Sequence, residues 1–356
     1  MIAKQSTPLI ILVLIFLGIF SMTNATAAES KRALTKNKVA AIEDFWQSVE
    51  QAAFKTKDNI NIAYATSFKR PDTPYIVIVP GRSESYVKYQ ELVFDLDKQG
   101  FDSVVIDHRG QGLSTRLTKN RLQGYVEKFD DYAHDLQQLL KQVLPEKYPQ
   151  HQQGSYMLAH SMGGSIALRY LQLYPHNIKA LSLSAPMITI ASGGVPHWLA
   201  SALVKSGNTI NRWLSDTPWY FFGQNDNNIR SFEENRLMHS KPRFQRFRSL
   251  YQQQAELKLG GVTFHWLAQA INNSQQLFAD IDKLSLPIQI LQAGEEKIVD
   301  NDAQDRFCQQ LNSVNNNACP SGKPIQIAGA YHELLFEIDE YRDVALEHTL
   351  TWFAQH

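Results

Sequence analysis

One stretch decides how this chain folds: Ser155-Tyr156-Met157-Leu158-Ala159-His160-Ser161-Met162-Gly163-Gly164. It is an apolar run that stops abruptly and passes into an amphipathic segment. This pattern predicts a strand, a sharp turn with Ser161 at its tip, and a helix. The two backbone arms of such a turn nearly touch, so it needs very small residues two positions before and after the serine. Ala159 and Gly163 meet that need, although alanine stands where glycine is usual.

Short apolar runs alternate with helical patterns on both sides of this stretch. The runs lie at 75–79, 103–107, 156–159, 180–183, 288–291 and 325–327. The helical patterns lie at 86–99, 129–143, 165–174, 302–311 and 341–354, with a further helix predicted at 33–54 and a half-buried strand at 59–64. This alternation predicts an α/β fold with a mostly parallel central sheet flanked by helices. Sites in such sheets form at the carboxyl ends of the strands.

One interval breaks the alternation. Between residues 187 and 282, aromatic and basic residues crowd together without strand-like runs. We therefore predict a mainly helical cap at 187–282, inserted into a core formed by 33–186 and 283–356.

The start of the chain has the pattern of a secretory signal. Lys4 precedes an apolar run at 9–20, and Ala25-Thr26-Ala27 has the form of a signal-peptidase site. We predict a signal peptide at 1–27 and export of the protein to the periplasm or the exterior. The run is shorter than the ~20 residues that span a bilayer. An uncleaved anchor remains an alternative, because the apolar character extends through 18–22.

Charge and cysteine content exclude several classes of partner. Lys and Arg together equal Asp and Glu at 35 each, so no basic excess points to nucleic acid. The two cysteines, Cys308 and Cys319, fit no metal motif, and the histidines are scattered. We expect no metal and no cofactor, and a disulfide bond if the chain is exported.

A nucleophilic serine needs a base to accept its proton and an acid to orient that base. In this type of fold the acid and then the histidine follow the serine, each after a later strand. One strand-like run leads into an acidic loop with Glu295, Glu296 and Asp300, and a later run leads into a loop with His332. We predict Ser161 as nucleophile and His332 as base. Glu296 is the first choice of acid, Asp300 the second and Glu295 the third.

The oxyanion of such a reaction needs two backbone donors. The expected pair is the N–H after the nucleophile, at Met162, and one from the loop after an early strand, at Arg82, where Gly81 permits a tight turn. His160 is interpreted as structural because its ring points away from the serine hydroxyl. The loop 107–114 lacks a full dinucleotide-binding fingerprint and is interpreted as structural too.

With these pieces in place, the chain from about residue 54 onward resembles the α/β-hydrolase superfamily, and in it the bacterial lysophospholipases related to monoglyceride lipases and serine aminopeptidase-like proteins. The resemblance is carried by Pro80-Gly81-Arg82-Ser83-Glu84-Ser85, Lys88-Tyr89, Asp107-His108-Arg109-Gly110-Gln111-Gly112, Ala159-His160-Ser161-Met162-Gly163-Gly164, Gln292-Ala293, Val299-Asp300-Asn301 and Gly329-Ala330-Tyr331-His332-Glu333. Many relatives have His-Gly in place of Pro80-Gly81, and Asp in place of Glu296.

The resemblance implies a serine hydrolase that cleaves carboxylic esters of monoacyl lipids, a lysophospholipid or a monoglyceride, through an acyl-enzyme on Ser161. A short-chain esterase or aminopeptidase-like hydrolase on the same fold is the alternative, and a non-enzymatic binding protein is a third. The expected partner is an amphiphilic lipid or small ester, with peripheral membrane contact through the cap.

Two groups in the cap bear on that substrate. We expect most of its clustered aromatic residues to form the cap's own core and a minority to shelter an acyl chain. They are Trp198, Trp213, Trp219, Tyr220, Phe221 and Phe222. Arg243, Arg246 and Arg248 could contact phosphate or membrane headgroups, but a solvated helix face is the preferred interpretation.

Overall fold

The computed structural model describes residues 34–227 and 230–356. Within these ranges the centre of the fold is an eight-stranded sheet in the order β1-β2-β4-β3-β5-β6-β7-β8. The strands are β1 Glu50–Lys55, β2 Asn61–Ser67, β3 Tyr75–Val79, β4 Asp102–Ile106, β5 Ser155–His160, β6 Ile178–Ser184, β7 Ile288–Ala293 and β8 Ile325–Ile327. The six strands from β3 to β8 run parallel, while the β1–β2 and β2–β4 pairings are antiparallel. The prediction of a mostly parallel sheet is confirmed.

Helices cover both faces of this sheet. They are α1 Lys36–Trp46, α2 Gln90–Lys98, α3 Asp130–Gln138, α4 Leu144–Lys147, α5 Met162–Leu173, α6 His197–Leu214, α7 Lys241–Gln253, α8 Phe264–Ala279, α9 Asn301–Val314 and α10 Asp339–Gln355. A 3₁₀ turn, Tyr86–Tyr89, precedes α2, and a π-helical turn, Leu139–Val143, joins α3 to α4.

The period of two along each strand divides the apolar core between the two faces. In β3, Val77 and Val79 belong to one cluster with side chains of α3 and α5, while Ile76 and Ile78 belong to another with side chains of α2 and α10. All five residues of β3 are buried. The continuous apolar runs in the sequence therefore correspond to strands covered on both sides.

The predicted helix at 33–54 is wrong in its second half. α1 ends at Trp46, and Glu50–Lys55 forms the edge strand β1, paired along its whole length with β2. The backbone of β2 needs a partner on that side, and this long-range pairing outweighs a local helical pattern.

Three α-helices, α6, α7 and α8, occupy the interval between β6 and β7 where a cap was predicted. The expectation for its aromatic residues is wrong in part: Trp198, Trp213 and Phe222 are 73%, 86% and 71% exposed. The predicted signal at 1–27 lies outside the described residues. No helix in the part that the structure describes is long and apolar enough to span a membrane.

Candidate active site

Ser161 stands alone between β5, which ends at His160, and α5, which begins at Met162. Its backbone has φ 52° and ψ −118°, a conformation that costs energy in any residue with a side chain. The turn is as tight as the sequence requires, because a Cβ at Gly163 would collide with the carbonyl oxygens of Val79 and Pro80. The fold therefore holds Ser161 in a strained elbow at the carboxyl edge of the sheet.

His332 lies beyond β8 and links the serine to an acid. Its Nε2 is 2.8 Å from Ser161 Oγ, and its Nδ1 is 2.7 Å from Glu296 Oε2. The carboxylate favours the tautomer in which Nδ1–H donates to Glu296, which leaves Nε2 to accept the Ser161 hydroxyl proton. The structure brings the three first-choice residues together in one hydrogen-bonded chain.

The other two candidate acids lie elsewhere. Asp300 caps the N-terminus of α9, where its side chain accepts a hydrogen bond from the backbone N–H of Ala303, and its Oδ2 is 2.8 Å from His197 Nε2. Glu295 is exposed. Neither is paired with His332.

Glu296 is held in its ionised form. Its Oε1 accepts backbone hydrogen bonds from Lys297, Ile298 and Val299 at 2.8, 2.7 and 3.3 Å. Burial alone would raise the pKa of this carboxyl group. The charge and hydrogen bond of His332, with the backbone donors, outweigh burial and lower the pKa below its ordinary value. Glu296 therefore places a negative charge beside Nδ1 of His332, on the side of the ring opposite Ser161.

The second predicted oxyanion donor lies in a loop that is tied down from three directions. Glu84 Oε2 accepts the Gly81 N–H at 2.5 Å. Gln111 Nε2 donates to the carbonyl of Gly81 at 2.8 Å, and His108 Nε2 lies 2.9 Å from the carbonyl of Pro80. These contacts fix the orientation of the backbone that carries the Arg82 N–H. The loop 107–114 thus has a structural role, as interpreted, but one that serves the site directly.

A buried charged cluster lies behind the site. Lys88 Nζ is 2.6 Å from Glu84 and 2.7 Å from Glu333, and its side chain is 2% exposed. Burial raises the pKa of both carboxyl groups. For Glu84 the charges of Lys88 and His160 and the hydrogen bonds from Lys88 and Tyr89 outweigh burial and lower the pKa, whereas for Glu333 burial and the nearby charge of Glu84 outweigh Lys88 and raise it. His160 completes the surroundings: its Nδ1 is 3.0 Å from the carbonyl of Ser184, and burial lowers the pKa of its ring to about 4. The sequence analysis assigned no role to Glu84, Lys88 and Glu333: Glu84 and Lys88 have the four-residue spacing of an ion pair, but nothing in the sequence indicates that Glu333 joins them.

A cavity of about 660 Å³ is lined by Ser161 and His332. Part of its wall is apolar, and all of these apolar residues except Ile298 belong to the interval 187–282: Met187, Ile190, Val262, Trp266, Leu267 and Ile298. None of the six aromatic residues, a minority of which we expected to shelter an acyl chain, lines this cavity. Its aromatic lining is Phe244, Phe247, Tyr251 and Trp266. Its size and composition are those of a small-molecule site.

The comparisons with known proteins agree with this architecture. The family model described as serine aminopeptidase, S33 (Hydrolase_4) matches residues 71–339. Lysophospholipase L2 of Escherichia coli K12 is 37% identical over 315 residues, which cover 88% of this chain and 90% of that protein. The probable lysophospholipase L2 of Haemophilus influenzae is 31% identical, over 85% of this chain and 92% of that protein.

A solved structure shows the same fold at low sequence identity. A soluble variant of the monoglyceride lipase of Saccharomyces cerevisiae superposes with a TM-score of 0.65 and 17% identity, over 86% of this chain and 94% of that one. Together with the strand order and the serine elbow, the family match and the two relatives lead to one conclusion: the chain belongs to the serine aminopeptidase S33 family (Hydrolase_4) of the α/β-hydrolases.

Proposed function

We propose that this protein hydrolyses the carboxylic ester of monoacyl lipids, lysophospholipids or monoglycerides, through an acyl-enzyme on Ser161. The observation that carries the proposal is the hydrogen-bonded chain from Ser161 through His332 to Glu296, set in a partly apolar cavity. The names of the relatives, lysophospholipase and monoglyceride lipase, support the same substrate class.

In the first half of the reaction, Ser161 Oγ attacks the ester carbonyl while its proton moves to His332 Nε2. Glu296 stabilises the imidazolium that forms. The backbone N–H groups of Met162 and Arg82 stabilise the negative charge on the carbonyl oxygen. Met162 is suited to this, because the first N–H groups of a helix have no partner within the helix. The imidazolium then protonates the leaving glycerol oxygen, which leaves the acyl group on Ser161.

In the second half, a water molecule takes the place of the alcohol. His332 accepts a proton from the water, and the resulting hydroxide attacks the acyl carbonyl. The same two N–H groups stabilise the second oxyanion. Its collapse breaks the bond to Ser161 Oγ, which recovers its proton from the imidazolium, and the fatty acid departs.

The test is product analysis with Ser161→Ala. Purified protein is incubated with a panel of lysophospholipids and monoglycerides, and free fatty acid is measured by mass spectrometry. We expect release by the wild-type protein, none above background by Ser161→Ala, and nearly unchanged thermal unfolding. Fatty-acid release by the variant at the wild-type rate would refute the proposal.

We propose further that the cap contacts a membrane through one face of α6. Trp198, Leu203, Ile210, Trp213 and Leu214 are all exposed and lie on one side of this helix. Large exposed apolar side chains that share one helix face mark a binding surface, and tryptophan favours the membrane–water interface. Co-sedimentation with phospholipid vesicles should decrease in a Trp198→Ser, Trp213→Ser double variant whose unfolding temperature is unchanged. Equal binding by this variant would contradict the proposal.

We also propose that the protein is exported. The disulfide bond between Cys308 and Cys319 supports this, since such bonds persist mainly in oxidising compartments. Fractionation of the native host should recover the protein outside the cytoplasm. N-terminal sequencing should find the mature chain beginning after Ala27, and recovery only from the cytoplasm would contradict the proposal.

A further inference from the structure

The cavity that contains Ser161 and His332 also has a basic wall. Its five cationic side chains are Arg82, Arg230, Arg236, Arg248 and Lys258, which we call the basic wall. The whole chain has equal numbers of acidic and basic residues. The local excess is therefore a property of this cavity and not of the composition.

Within the part of the chain that the structure describes, the basic wall has no acidic partner. Among residues 34–227 and 230–356, no carboxylate lies within 4.0 Å of any of its five cations. Helix α7 provides an internal comparison. Arg243 pairs with Glu91 and Arg246 with Glu43, both away from the cavity, whereas Arg248 on the same helix lines the cavity. The interpretation of all three as a solvated face is thus wrong for Arg243, which is buried.

The three carboxylates that line the cavity are already engaged. Glu84 and Glu333 share Lys88 behind the site. Asp226 accepts hydrogen bonds from the hydroxyl of Tyr220 and, at 2.8 Å, from the side-chain amide of Asn120. Within the described residues none of the three forms an ion pair with the basic wall, and its five cations outnumber these three carboxylates.

Arg82 and Arg248 are partly buried, and no carboxylate among the described residues pairs with them to offset the free-energy cost of removing their charges from water. Burial lowers the pKa of Arg248, and it lowers the pKa of Arg82 to about 10. Arg82 is anchored by the carbonyls of Gly260 and Gly261, at 2.9 and 2.7 Å, and packs over the ring of Trp266. Cations held in a cavity in this way favour a ligand that brings negative charge.

The basic wall also lies close to the reaction centre. Tyr251 donates a hydrogen bond of 3.2 Å to the carbonyl of Ser83, the residue after the proposed oxyanion donor Arg82. Arg248 precedes Tyr251 by three residues, so both lie on one face of α7. Arg248 and Ser161 line the same cavity, so one bound ligand can contact both.

We propose that the basic wall binds the phosphate group of a monoacyl phospholipid, so that the enzyme prefers phosphate-bearing monoacyl lipids to neutral monoglycerides. The inference rests on the proposed function and adds to it the class of head group. Arginine suits this task because its planar fork donates two parallel hydrogen bonds to phosphate oxygens. The apolar part of the cavity would then hold the acyl chain of the same molecule.

The test compares two substrates with one acyl chain. The value of kcat/KM is measured for an octanoyl lysophosphatidylglycerol and for octanoylglycerol, both below their micellar concentrations. The readout is the ratio of the two values. We expect Arg248→Gln to lower this ratio at least about tenfold, the usual effect of losing one charge-assisted hydrogen bond. The matched control is Arg246→Gln on the same helix, which should leave both values unchanged.

Three results would overturn the inference. One is an unchanged ratio in Arg248→Gln, and a second is an equal fall for both substrates, which would mean a general role in shaping the cavity. A third is a ratio that falls only when the assay is repeated above the micellar concentrations, which would indicate docking on an anionic surface. In all three cases hydrolysis that depends on Ser161 would still support the proposed function. Absence of such hydrolysis for both lipids would instead refute the function itself.

Competition separates a lipid head group from free phosphate. We expect glycerol 3-phosphate to inhibit the wild-type enzyme more strongly than inorganic phosphate, and to inhibit Arg248→Gln more weakly. Stronger inhibition by inorganic phosphate than by glycerol 3-phosphate would show a site for the free anion and would contradict the inference.

Discussion

Replacing Glu296 with glutamine distinguishes between the candidate acids and tests how the site works. In the structure Glu296 Oε1 accepts backbone hydrogen bonds from Lys297 and Ile298, while Oε2 faces His332 Nδ1 at 2.7 Å. A glutamine that keeps its oxygen toward the backbone must turn its NH₂ group toward Nδ1. His332 then has to accept a hydrogen bond at Nδ1 and carry its proton on Nε2, where it can no longer take the proton of Ser161.

The size of the effect follows from this change of tautomer. The corresponding change in a serine protease triad lowers kcat by about 10⁴-fold, which equals about 5 kcal/mol of transition-state stabilisation. Stability should change little, by about 1 kcal/mol or less, because the backbone hydrogen bonds to the loop remain. The variant should therefore be folded and nearly inactive.

The assay measures kcat on a monoacyl lipid together with the unfolding temperature. Asp300→Asn is the matched control, since asparagine caps a helix as well as aspartate does and the pair with His197 is partly exposed. We expect less than a twofold change in kcat for this variant. If Glu296→Gln kept more than a tenth of the wild-type kcat, or if Asp300→Asn lost a hundredfold, the assignment of the acid would be refuted.

Three further predictions concern stability. Gly163→Ala should lower the unfolding temperature by several degrees or prevent folding, because its Cβ would overlap backbone carbonyls; an unchanged temperature would contradict the elbow geometry. Burial raises the pKa of Glu91, but Arg342, Arg243 and Lys38 outweigh it and lower the pKa to about 2. The ionised form of Glu91 therefore stabilises the fold above about pH 5, and this stability is lost as the pH falls toward 2. Glu91→Gln should cost about 3 kcal/mol at pH 7 in urea unfolding and flatten the acid limb; wild-type acid sensitivity would count against this. Replacing Cys308 and Cys319 together by serine should cost about 3 kcal/mol, and equal urea midpoints would refute it.

The sequence was sufficient to predict which residues meet at the strand ends. Ser161, Glu296 and His332 follow β5, β7 and β8, and these strands lie within one parallel stretch of the sheet. Parallel strands bring their carboxyl ends to one edge, so residues far apart in the chain can be predicted to meet there. The sequence alone could not exclude Asp300 as the acid, because the conformation of the loop decides which side chain contacts His332. In the structure Glu296 does so, while Asp300 caps α9.

Other features depend on contacts that leave no local pattern. The local pattern of residues 33–54 predicts a helix. The strand β1 forms instead at 50–55 because it pairs with β2. Glu84, Lys88 and Glu333 meet through the packing of two loops. Trp198 and Trp213 look like core residues by composition, yet α6 turns them outward. In each case the sequence shows whether a residue is apolar or charged, but not which way its side chain points or what it contacts.

The central claim is that Ser161 is the nucleophile, activated by His332. Labelling with a fluorophosphonate, followed by peptide mass spectrometry, tests it most directly, because the probe reacts covalently with activated serines. We expect one adduct, on the peptide that carries Ser161. It should be absent in Ser161→Ala and form much more slowly in His332→Ala. An adduct on another serine, or no adduct in a folded wild-type protein that hydrolyses monoacyl lipids, would contradict it.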